Sequence, residues 1–329
     1  RSRRMISVYG LLGEPGAELR RAAGTAELVV AGRRHLDALA VPEDRRLVLG
    51  PLEPAIERLA DFPDEGNALV VASGDPLFFG VVRRLRARGL RPTVVPAVSA
   101  VTAAFAAIGL PWEDAAVVSA HGRSLAPALN VARANDKVAV FTSTAHGVRE
   151  LAAGLVGLQR WFVVAERLGE PDQRVQVLSA DDAARTQPRE PNVVLVLAQH
   201  PSASEQPWSG WLAAPDRRPR PQVSAAAAVA FTRLLPEPGE LLWASGPLAD
   251  EVAALARWTG AAAILGGSAP TPSALTGPAA VLLAPGVDGM DLTGVRAVVL
   301  TDPDAERHDG FRWSTETVGA HTLTTGVRR

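Results

Sequence analysis

The sequence contains no cysteine, so disulfides, thiolate metal sites and a cysteine nucleophile are all excluded. Lysine is almost as scarce, because Lys137 is the only lysine among 34 basic residues. A formal net charge of −1 provides no overall basic field for nucleic acid or an anionic membrane. No apolar run reaches the roughly 18 to 20 residues that span a bilayer. We therefore expect a soluble, cytoplasmic protein that binds neither nucleic acid nor a membrane, and no spacing of histidines indicates a metal site.

What the sequence does contain is a long alternation of apolar, strand-like runs with helical patterns, and 47% of its 329 residues are hydrophobic. Such alternation is typical of an α/β fold with a largely parallel sheet. The predicted strands are Ile6–Tyr9, Leu28–Ala31, Arg46–Leu49, Ala68–Ala72, Arg91–Val95, Ala115–Ser119, Val138–Thr142, Arg160–Ala165, Gln173–Leu178 and Asn192–Leu197. The predicted helices between them cover residues 14–26, 53–61, 77–89, 99–108, 124–133 and 146–156.

The chain is long enough for more than one domain. Residues 89–96 resemble a hinge between two lobes, and residues 200–222 are rich in proline and tryptophan, as expected of a linker. A second α/β pattern occupies residues 223–300, with a helix at 223–235 and a strand at Glu240–Ala244. The tail at 302–329 is polar and short of apolar periodicity, which predicts poor order.

The most informative stretch is Leu69–Gly80, in which an apolar run stops at Ser73-Gly74-Asp75-Pro76. A buried strand followed by a tight turn and a helix is where open α/β sheets place their ligands, beyond the carboxyl ends of the strands. Gly74 lets the backbone approach a ligand closely. Pro76 fits a first helical turn, with Asp75 before it as a cap.

Six segments of the first 200 residues occur together in an order and spacing that one protein family shares. They are Val29–Leu36, Ala72–Gly80, Pro96–Ala100, Leu110–Asp114, Val118–Arg123 and Ala165–Gly169. Through these segments residues 5–199 resemble the tetrapyrrole methylases, the S-adenosylmethionine-dependent family that builds corrins and sirohaem. The similarity is greatest to the amino-terminal half of two-domain members that methylate a corrin precursor at carbons 5 and 15.

The resemblance implies a two-lobed tetrapyrrole methylase fold, with S-adenosylmethionine bound between lobes of about residues 5–95 and 97–199. The cofactor-binding residues it implies are Gly10, Gly74, Asp75, Pro76, Leu77, Ser99, Ala100, Thr142, Arg167 and Leu168. Asp75 either accepts a hydrogen bond from the methionine ammonium or only caps the following helix. Ser99 likewise either contacts the cofactor or caps the helix that begins at Ala100.

Two loops depart from the family pattern. The Gly-x-Gly-x-Gly expected after the first strand is Gly10-Leu11-Leu12-Gly13, which places a leucine in the turn. The usual Pro-Gly-Val-Ser is Pro96-Ala97-Val98-Ser99. If Ala97 takes a positive φ, the cost is on the order of 1 kcal/mol.

The substrate that the resemblance implies is a tetrapyrrole with many acetate and propionate groups. Arginine binds carboxylates through a planar fork, and we expect the polar groups nearest the substrate to bind them in this way. These groups are Arg33, Arg34, His35, His121 and Arg123. The alternative for the arginines is simple solvation of the surface, and for His121 it is a helix cap or a core position. No catalytic residue is assigned, because methyl transfer needs chiefly in-line placement in a dry cleft.

In two-domain members, a Rossmann-like domain methylates carbon 15 and removes a carboxyl group. Residues 223–329 stand in its place, but its Asp-x-Gly-x-Gly-x-Gly loop is Ala244–Asp250 with a single glycine, Gly246, followed by Pro247. The acidic residue expected after the second strand is missing, since Ala261–Leu265 runs into Gly266-Gly267-Ser268. We interpret this part as a reduced, degenerate domain that has lost cofactor binding; a divergent active domain is the alternative.

The resemblance as a whole implies an S-adenosylmethionine-dependent methyltransferase that acts at carbon 5 of a corrin precursor in cobalamin biosynthesis, and that pairs as a homodimer. Two other hypotheses stay open from the sequence. The first is a scaffold that binds tetrapyrrole or cofactor without catalysis, and the second is a methylase of another corrin carbon. The sequence leaves open whether the substrate contains cobalt.

Overall fold

The computed structural model describes residues 5–204, 220–266 and 280–329. The chain divides into two compact units, Arg1–Leu110 with Ala165–Val175 and Pro111–Val164 with Gln176–Arg329. The first unit therefore extends beyond the hinge expected at residues 89–96. Most of the predicted linker, together with Gly267 and Ser268, lies outside the described residues.

The first sheet consists of five parallel strands in the order β3-β2-β4-β1-β5. These strands are β1 Met5–Leu11, β2 Leu28–Ala31, β3 Arg46–Val48, β4 Asn67–Ser73 and β5 Thr93–Val95. The helices of this unit are α1 Ala17–Thr25, α2 Arg33–Ala38, α3 Leu52–Ala60, α4 Val81–Ala87 and α5 Ala100–Ile108. The predicted strands are confirmed to within two residues, whereas α2 was not predicted.

Helices cover both faces of this sheet because β4 is apolar on both sides. Leu69 and Val71 share a core with buried residues of α1 and α2. Ala68 and Val70 share the opposite core with buried residues of α3 and α4. The connections that leave β1 and β4 therefore run on opposite faces of the sheet.

The second sheet has five strands in the order β6-β7-β10-β8-β9 and is mixed, because β6 and β7 are parallel and β7 and β10 are antiparallel. Its elements are β6 Ala116–Ser119, α6 Ala126–Ala134, β7 Lys137–Phe141, α7 Val148–Gly154, β8 Trp161–Glu166, β9 Arg174–Leu178, α8 Ala180–Ala183 and β10 Asn192–Leu197. The single lysine is buried here, with Lys137 Nζ 2.9 Å from Asp114 Oδ1. This pairing compensates two charges that would be costly to bury alone.

The third sheet has six strands in the order β12-β11-β13-β14-β16-β15. Its elements are α9 Ala225–Leu234, β11 Leu241–Ala244, α10 Ala249–Trp258, β12 Ala262–Leu265, β13 Ala280–Ala284, β14 Val295–Leu300, β15 Phe311–Val318 and β16 His321–Arg328. The first four strands in this order are parallel, and β16 is antiparallel to both of its neighbours. Helices α9 and α10 pack on one face. The predicted α/β architecture of this region is thus confirmed.

The expectation of poor order at residues 302–329 is wrong. Strands β15 and β16 form a hairpin whose two-residue turn contains Gly319 at φ +62°. Phe311 and Leu323 are fully buried in the cores on the two faces. The polar residues that hid this pattern include Thr315 and Thr324, which face each other across the strands with their hydroxyl oxygens 3.2 Å apart. Cross-strand pairs of this kind stabilise a sheet without an apolar alternation.

Among the described residues, the structure has no helix long and apolar enough to cross a membrane.

Candidate functional site

The carboxyl ends of β1 and β4 form the natural ligand position of the first sheet. These two strands are neighbours, and their connections depart on opposite faces. In open α/β sheets, ligands bind at such a switch point, beyond the carboxyl ends of the strands. Gly10 and Gly74, two of the predicted cofactor-binding positions, lie there.

Gly74 adopts a bend that favours glycine, with φ +67°. Its amide donates to the Leu11 carbonyl oxygen over 2.8 Å, which ties the end of β4 to the end of β1. A Cβ at this position would have only backbone atoms within 4 Å, the nearest being Ala100 N at 3.5 Å and then Ser99 Cα. The bend is therefore bordered by main chain and not by side chains.

At Gly10, strand β1 comes into backbone contact with two other segments, the bend at Gly74 and the loop 96–99. A Cβ on this residue would lie 2.5 Å from the Gly74 carbonyl oxygen and 2.7 Å from Ala97 N. Any side chain would therefore push the ends of β1 and β4 and the loop 96–99 apart. The leucine expected in the turn is Leu12, which follows β1, whereas Leu11 is the last residue of β1 and is buried in the core. Ala97 is absent from the residues with positive φ, so the anticipated cost does not arise.

A fourth loop, residues 167–170, reaches the same place. Gly13 and Gly169 have φ +81° and +82°, and a Cβ on Gly169 would lie 2.6 Å from Gly13 N. Arg167 also has a positive φ, +49°, which costs a bulky residue on the order of 1 kcal/mol. Its Nε lies 3.0 Å from Asp172 Oδ1, although the pair is not aligned as a hydrogen bond. Leu168, the other predicted residue of this loop, is buried.

The turn after Gly74 differs from the prediction of a helix that begins at Leu77. Asp75 Oδ1 accepts a hydrogen bond from Leu77 N over 2.9 Å, and α4 begins only at Val81. The reason is the close packing of Gly80 on Pro76, where a Cβ would lie 2.2 Å from the Pro76 carbonyl oxygen. The interpretation of Pro76 as a first-turn residue is therefore wrong, and Asp75 caps a turn and not the helix.

Ser99 is the N-cap of α5. Its hydroxyl oxygen accepts from Thr102 N over 3.0 Å, and Ala100 is the first residue of the helix, as predicted. The capping alternative for Ser99 is thus confirmed. Ala100 N faces the Gly74 bend, so the first turn of α5 borders the candidate site.

A polar cluster lies beside the bend, and it contains two residues that the sequence did not single out. Arg34 donates through Nη2 to Ser73 Oγ at 3.0 Å and through Nη1 to Glu170 Oε1 at 3.3 Å. His35 Nε2 lies 2.9 Å from the same Ser73 Oγ. Ser73 lies inside the segment Ala72–Gly80, but it was not assigned a role in the site, and Glu170 lies just beyond the segment Ala165–Gly169; the available signal for each was its position next to Gly74 or Gly169. Arg33 is exposed.

His35 does not lie on the surface, since its exposed fraction is 4%. Burial and then the neighbouring Arg34 guanidinium lower its pKa from 6.5 to about 4. The imidazole is therefore neutral at physiological pH. This environment suits a fixed hydrogen-bonding partner of Ser73 better than a direct contact with substrate.

The predicted residues His121, Arg123 and Thr142 belong to the second unit. His121 is exposed, and its Nδ1 lies 3.0 Å from the Thr142 carbonyl oxygen, so this nitrogen carries the proton and donates it. The Thr142 hydroxyl is buried and donates to Asn192 Oδ1 at 2.7 Å. Arg123 is exposed.

The third sheet has a comparable bend at Gly246, which has φ +87° at the end of β11. Here, however, side chains fill the surroundings. A Cβ on Gly246 would lie 2.8 Å from Pro285 Cγ and 3.6 Å from Thr301 Oγ1. At the end of β12, a Cβ on Gly266 would lie 2.5 Å from Nε1 of Trp243, whose indole is buried. The positions after both strands are therefore occupied by the protein itself.

The structure thus brings twelve of the predicted site residues into the first unit and leaves three in the second. Those of the first unit are Gly10, Arg33, Arg34, His35, Gly74, Asp75, Pro76, Leu77, Ser99, Ala100, Arg167 and Leu168. Within residues 5–204, 220–266 and 280–329, no group of three or more His, Asp or Glu side chains is arranged to hold a metal ion.

A known protein family matches residues 17–184, just over half of the chain. The family is described as Tetrapyrrole (Corrin/Porphyrin) Methylases.

Individual relatives agree with that match. A precorrin-6Y C(5,15)-methyltransferase (decarboxylating) from Sinorhizobium sp is 34% identical over 170 residues, and the match covers 49% of this chain but only 40% of the relative. A cobalt-precorrin-7 C(5)-methyltransferase from Salmonella typhimurium is 31% identical over 204 residues, covering 59% of this chain and 98% of the relative. The crystal structure of a precorrin-6Y methylase from Archaeoglobus fulgidus is 20% identical, covers 60% of this chain and 99% of that one, and has a TM-score of 0.46.

Proposed function

Because the chain belongs to the tetrapyrrole methylase family, we propose that it transfers a methyl group from S-adenosylmethionine to carbon 5 of a corrin precursor in cobalamin biosynthesis. The methylase domain comprises residues 5–199, residues 200–222 link it to the rest, and residues 223–329 form a degenerate Rossmann-like domain. A homodimer and a cytoplasmic location are part of this proposal, and sedimentation velocity tests the dimer.

The observation that supports the proposal most directly is the backbone cradle at Gly10 and Gly74. Main-chain atoms of loop 96–99 and of the first turn of α5 border it. Backbone amides and carbonyls at a switch point suit a ligand such as S-adenosylmethionine, whose adenosine and methionine parts need both donors and acceptors. Asp75 uses Oδ1 in its turn and keeps Oδ2 for the methionine ammonium.

S-adenosylmethionine supplies an activated methyl group on its sulfonium sulfur. Transfer of that group to a carbon acceptor would require the acceptor carbon, the methyl and the sulfur to lie in line. The backbone cradle would hold S-adenosylmethionine, and arginines at its border would orient the tetrapyrrole that contains the acceptor carbon. This division of work explains why the proposal needs no nucleophilic triad.

The number of cofactor molecules bound per chain tests whether residues 223–329 are an active domain. The proposal predicts that only the methylase domain binds cofactor. Calorimetric titration with S-adenosylmethionine should give one molecule per chain, because Pro285 and Trp243 fill the comparable positions of the third sheet. Two molecules per chain would show that residues 223–329 are a divergent active domain. No binding up to millimolar cofactor would remove the enzyme hypothesis.

Product analysis tests the reaction. With a corrin precursor and cofactor, mass spectrometry should show the gain of one methyl group without loss of carbon dioxide, and NMR should locate it at carbon 5. A methyl at another carbon would favour a different methylase specificity. Binding of cofactor and tetrapyrrole without turnover would favour a scaffold, the second candidate, which the altered loop Gly10–Gly13 motivates.

A further inference from the structure

We propose that Arg34, positioned by Ser73 and His35, binds a carboxylate side chain of the substrate, and that Glu170 occupies its guanidinium until that carboxylate replaces it. The identity of the substrate class rests on the proposed function. The arrangement itself rests on four side chains of the first unit.

The direction of each hydrogen bond follows from which groups carry protons. Arginine only donates, so Ser73 Oγ accepts from Arg34 Nη2 at 3.0 Å. The hydroxyl proton of Ser73 is then free to point at His35 Nε2, 2.9 Å away, and Nε2 accepts it when the imidazole proton is on Nδ1. The lowered pKa of His35 keeps the imidazole neutral, so that one ring nitrogen is available as an acceptor.

The two sides of Arg34 differ in how firmly they are held. On one side, the buried side chain of His35 holds Ser73 in place through the 2.9 Å hydrogen bond between Nε2 and Oγ. On the other side, the ion pair with Glu170 is 3.3 Å long, and the two side chains are 38% and 25% exposed. Charge-assisted bonds of this type are usually about 2.7 to 2.9 Å long. A long, partly solvated ion pair is weak and open to exchange for another carboxylate.

The position of the cluster connects it to the methyl donor. Ser73 is the last residue of β4 and immediately precedes Gly74, while Glu170 immediately follows Gly169, which packs on Gly13. A carboxylate bound to Arg34 Nη1 would therefore hold an edge of the macrocycle beside the proposed cofactor cradle. Such an anchor serves the in-line placement that methyl transfer needs.

The test uses uroporphyrin III, an octacarboxylate tetrapyrrole, and its octamethyl ester as the uncharged counterpart, with the full chain and fluorescence titration. R34Q should weaken uroporphyrin binding about tenfold, because it removes a charge-assisted contact. E170Q should tighten it about threefold, because the competing carboxylate is gone. Neither change should alter binding of the ester.

Two further variants separate positioning from folding. S73A should weaken uroporphyrin binding less than R34Q, whereas H35Q should retain binding, since its amide oxygen can still accept from Ser73. The matched controls are R58Q and E57Q on α3, which packs on the opposite face of the sheet. Melting temperatures within a few degrees of the wild type show that each variant is folded.

The proposal is overturned if the wild type fails to bind uroporphyrin, if R34Q binds it as tightly as R58Q does, or if E170Q weakens binding as R34Q does. The last result would make Glu170 a structural partner and not a competitor. Calorimetry of the wild type with S-adenosylmethionine judges the proposed function separately. A chain that binds cofactor but shows no Arg34 effect refutes only the present inference.

Discussion

The carboxyl edges of the first and third sheets have a similar local sequence, but the atoms that surround them in the folded structure differ. At both edges a parallel strand is followed within two residues by a glycine with positive φ, Gly74 at +67° after β4 and Gly246 at +87° after β11. Around Gly74 the nearest atoms are the main chain of Ser99 and Ala100, whereas around Gly246 they are side chains of Pro285 and Thr301. The first edge offers hydrogen-bonding backbone, and the second is closed by a proline ring.

The comparison shows that a glycine bend after a strand does not by itself make a ligand site. The bend supplies room, and the neighbouring loops decide what fills it. Pro247 next to Gly246 also lacks the amide that Asp75 offers after Gly74. A closed edge can persist because the third sheet keeps a complete core on both faces.

The largest expected effect is that of G10A on cofactor binding. The new Cβ would lie 2.5 Å from the Gly74 carbonyl oxygen and 2.7 Å from Ala97 N. The end of β1, the bend at Gly74 and the loop 96–99 must therefore move apart. Overpacking of this kind costs up to about 3 kcal/mol, which corresponds to about a hundredfold loss of affinity. Calorimetry with S-adenosylmethionine measures it.

G246A is the matched control at the third sheet. Its Cβ would also be crowded, at 2.8 Å from Pro285 Cγ, but we expect no change in cofactor affinity. If G246A weakened binding as much as G10A, the two edges would share the cofactor and the contrast between them would be lost.

The next effect concerns a contact within the second unit, between α6 and residues 223–329. Asn130 of α6 is buried and donates through Nδ2 to the Gly239 carbonyl oxygen at 3.0 Å. N130A leaves that carbonyl without this partner and also removes Asn130 Oδ1, which accepts from Arg133 Nη1 at 2.7 Å. It should lower the free energy of unfolding by about 2 kcal/mol, with unchanged cofactor affinity. Urea unfolding and calorimetry measure the two quantities.

N135A serves as its control, because Asn135 Nδ2 bonds within the same helical turn, to the Val131 carbonyl oxygen. We expect a smaller destabilisation from it. Equal effects of the two variants would mean that the contact with Gly239 adds nothing beyond local capping.

The sequence was sufficient to predict most of the fold because the parallel strands are continuous apolar runs. Leu28–Ala31 and Asn192–Leu197 were predicted with the observed limits, since every residue in them is buried. The hairpin at residues 311–328 was missed because its pairing depends on threonines across the strands. Local periodicity does not record such long-range pairs.

The candidate site divides in the same way. Gly74 was identifiable because turns have local signatures, while Gly10 and Ala100 were proposed through the family resemblance. The cluster of Arg34, Ser73 and Glu170 was not, since its members are brought together by the order of strands in the sheet. The start of α4 was misplaced because the packing of Gly80 on Pro76 is a steric fact of the folded turn.

A smaller effect is expected of pH on the free energy of unfolding, through the buried imidazole of His35 at the first sheet. Burial and then Arg34 lower the pKa of His35 from 6.5 to about 4, whereas His308 of the third domain is exposed. Protons therefore bind the unfolded chain first, so the stabilisation from this residue is complete above pH 6.5 and is lost as pH falls toward 4. Between pH 7 and 4.5, the wild type should lose more unfolding free energy than H35Q. Equal losses in parallel urea titrations would contradict this.

The smallest effect separates the two roles open to Asp75, the residue that Pro247 replaces at the third edge. Its Oδ1 accepts from Leu77 N at 2.9 Å, a bond that the amide oxygen of D75N can also accept. If the carboxylate binds the methionine ammonium, D75N should weaken S-adenosylmethionine binding about tenfold at an unchanged melting temperature. D75A should lose both affinity and stability, because it removes the turn cap as well. Wild-type affinity in D75N would assign Asp75 to the turn alone, and the cradle at the first edge would then bind S-adenosylmethionine through backbone groups without this charge.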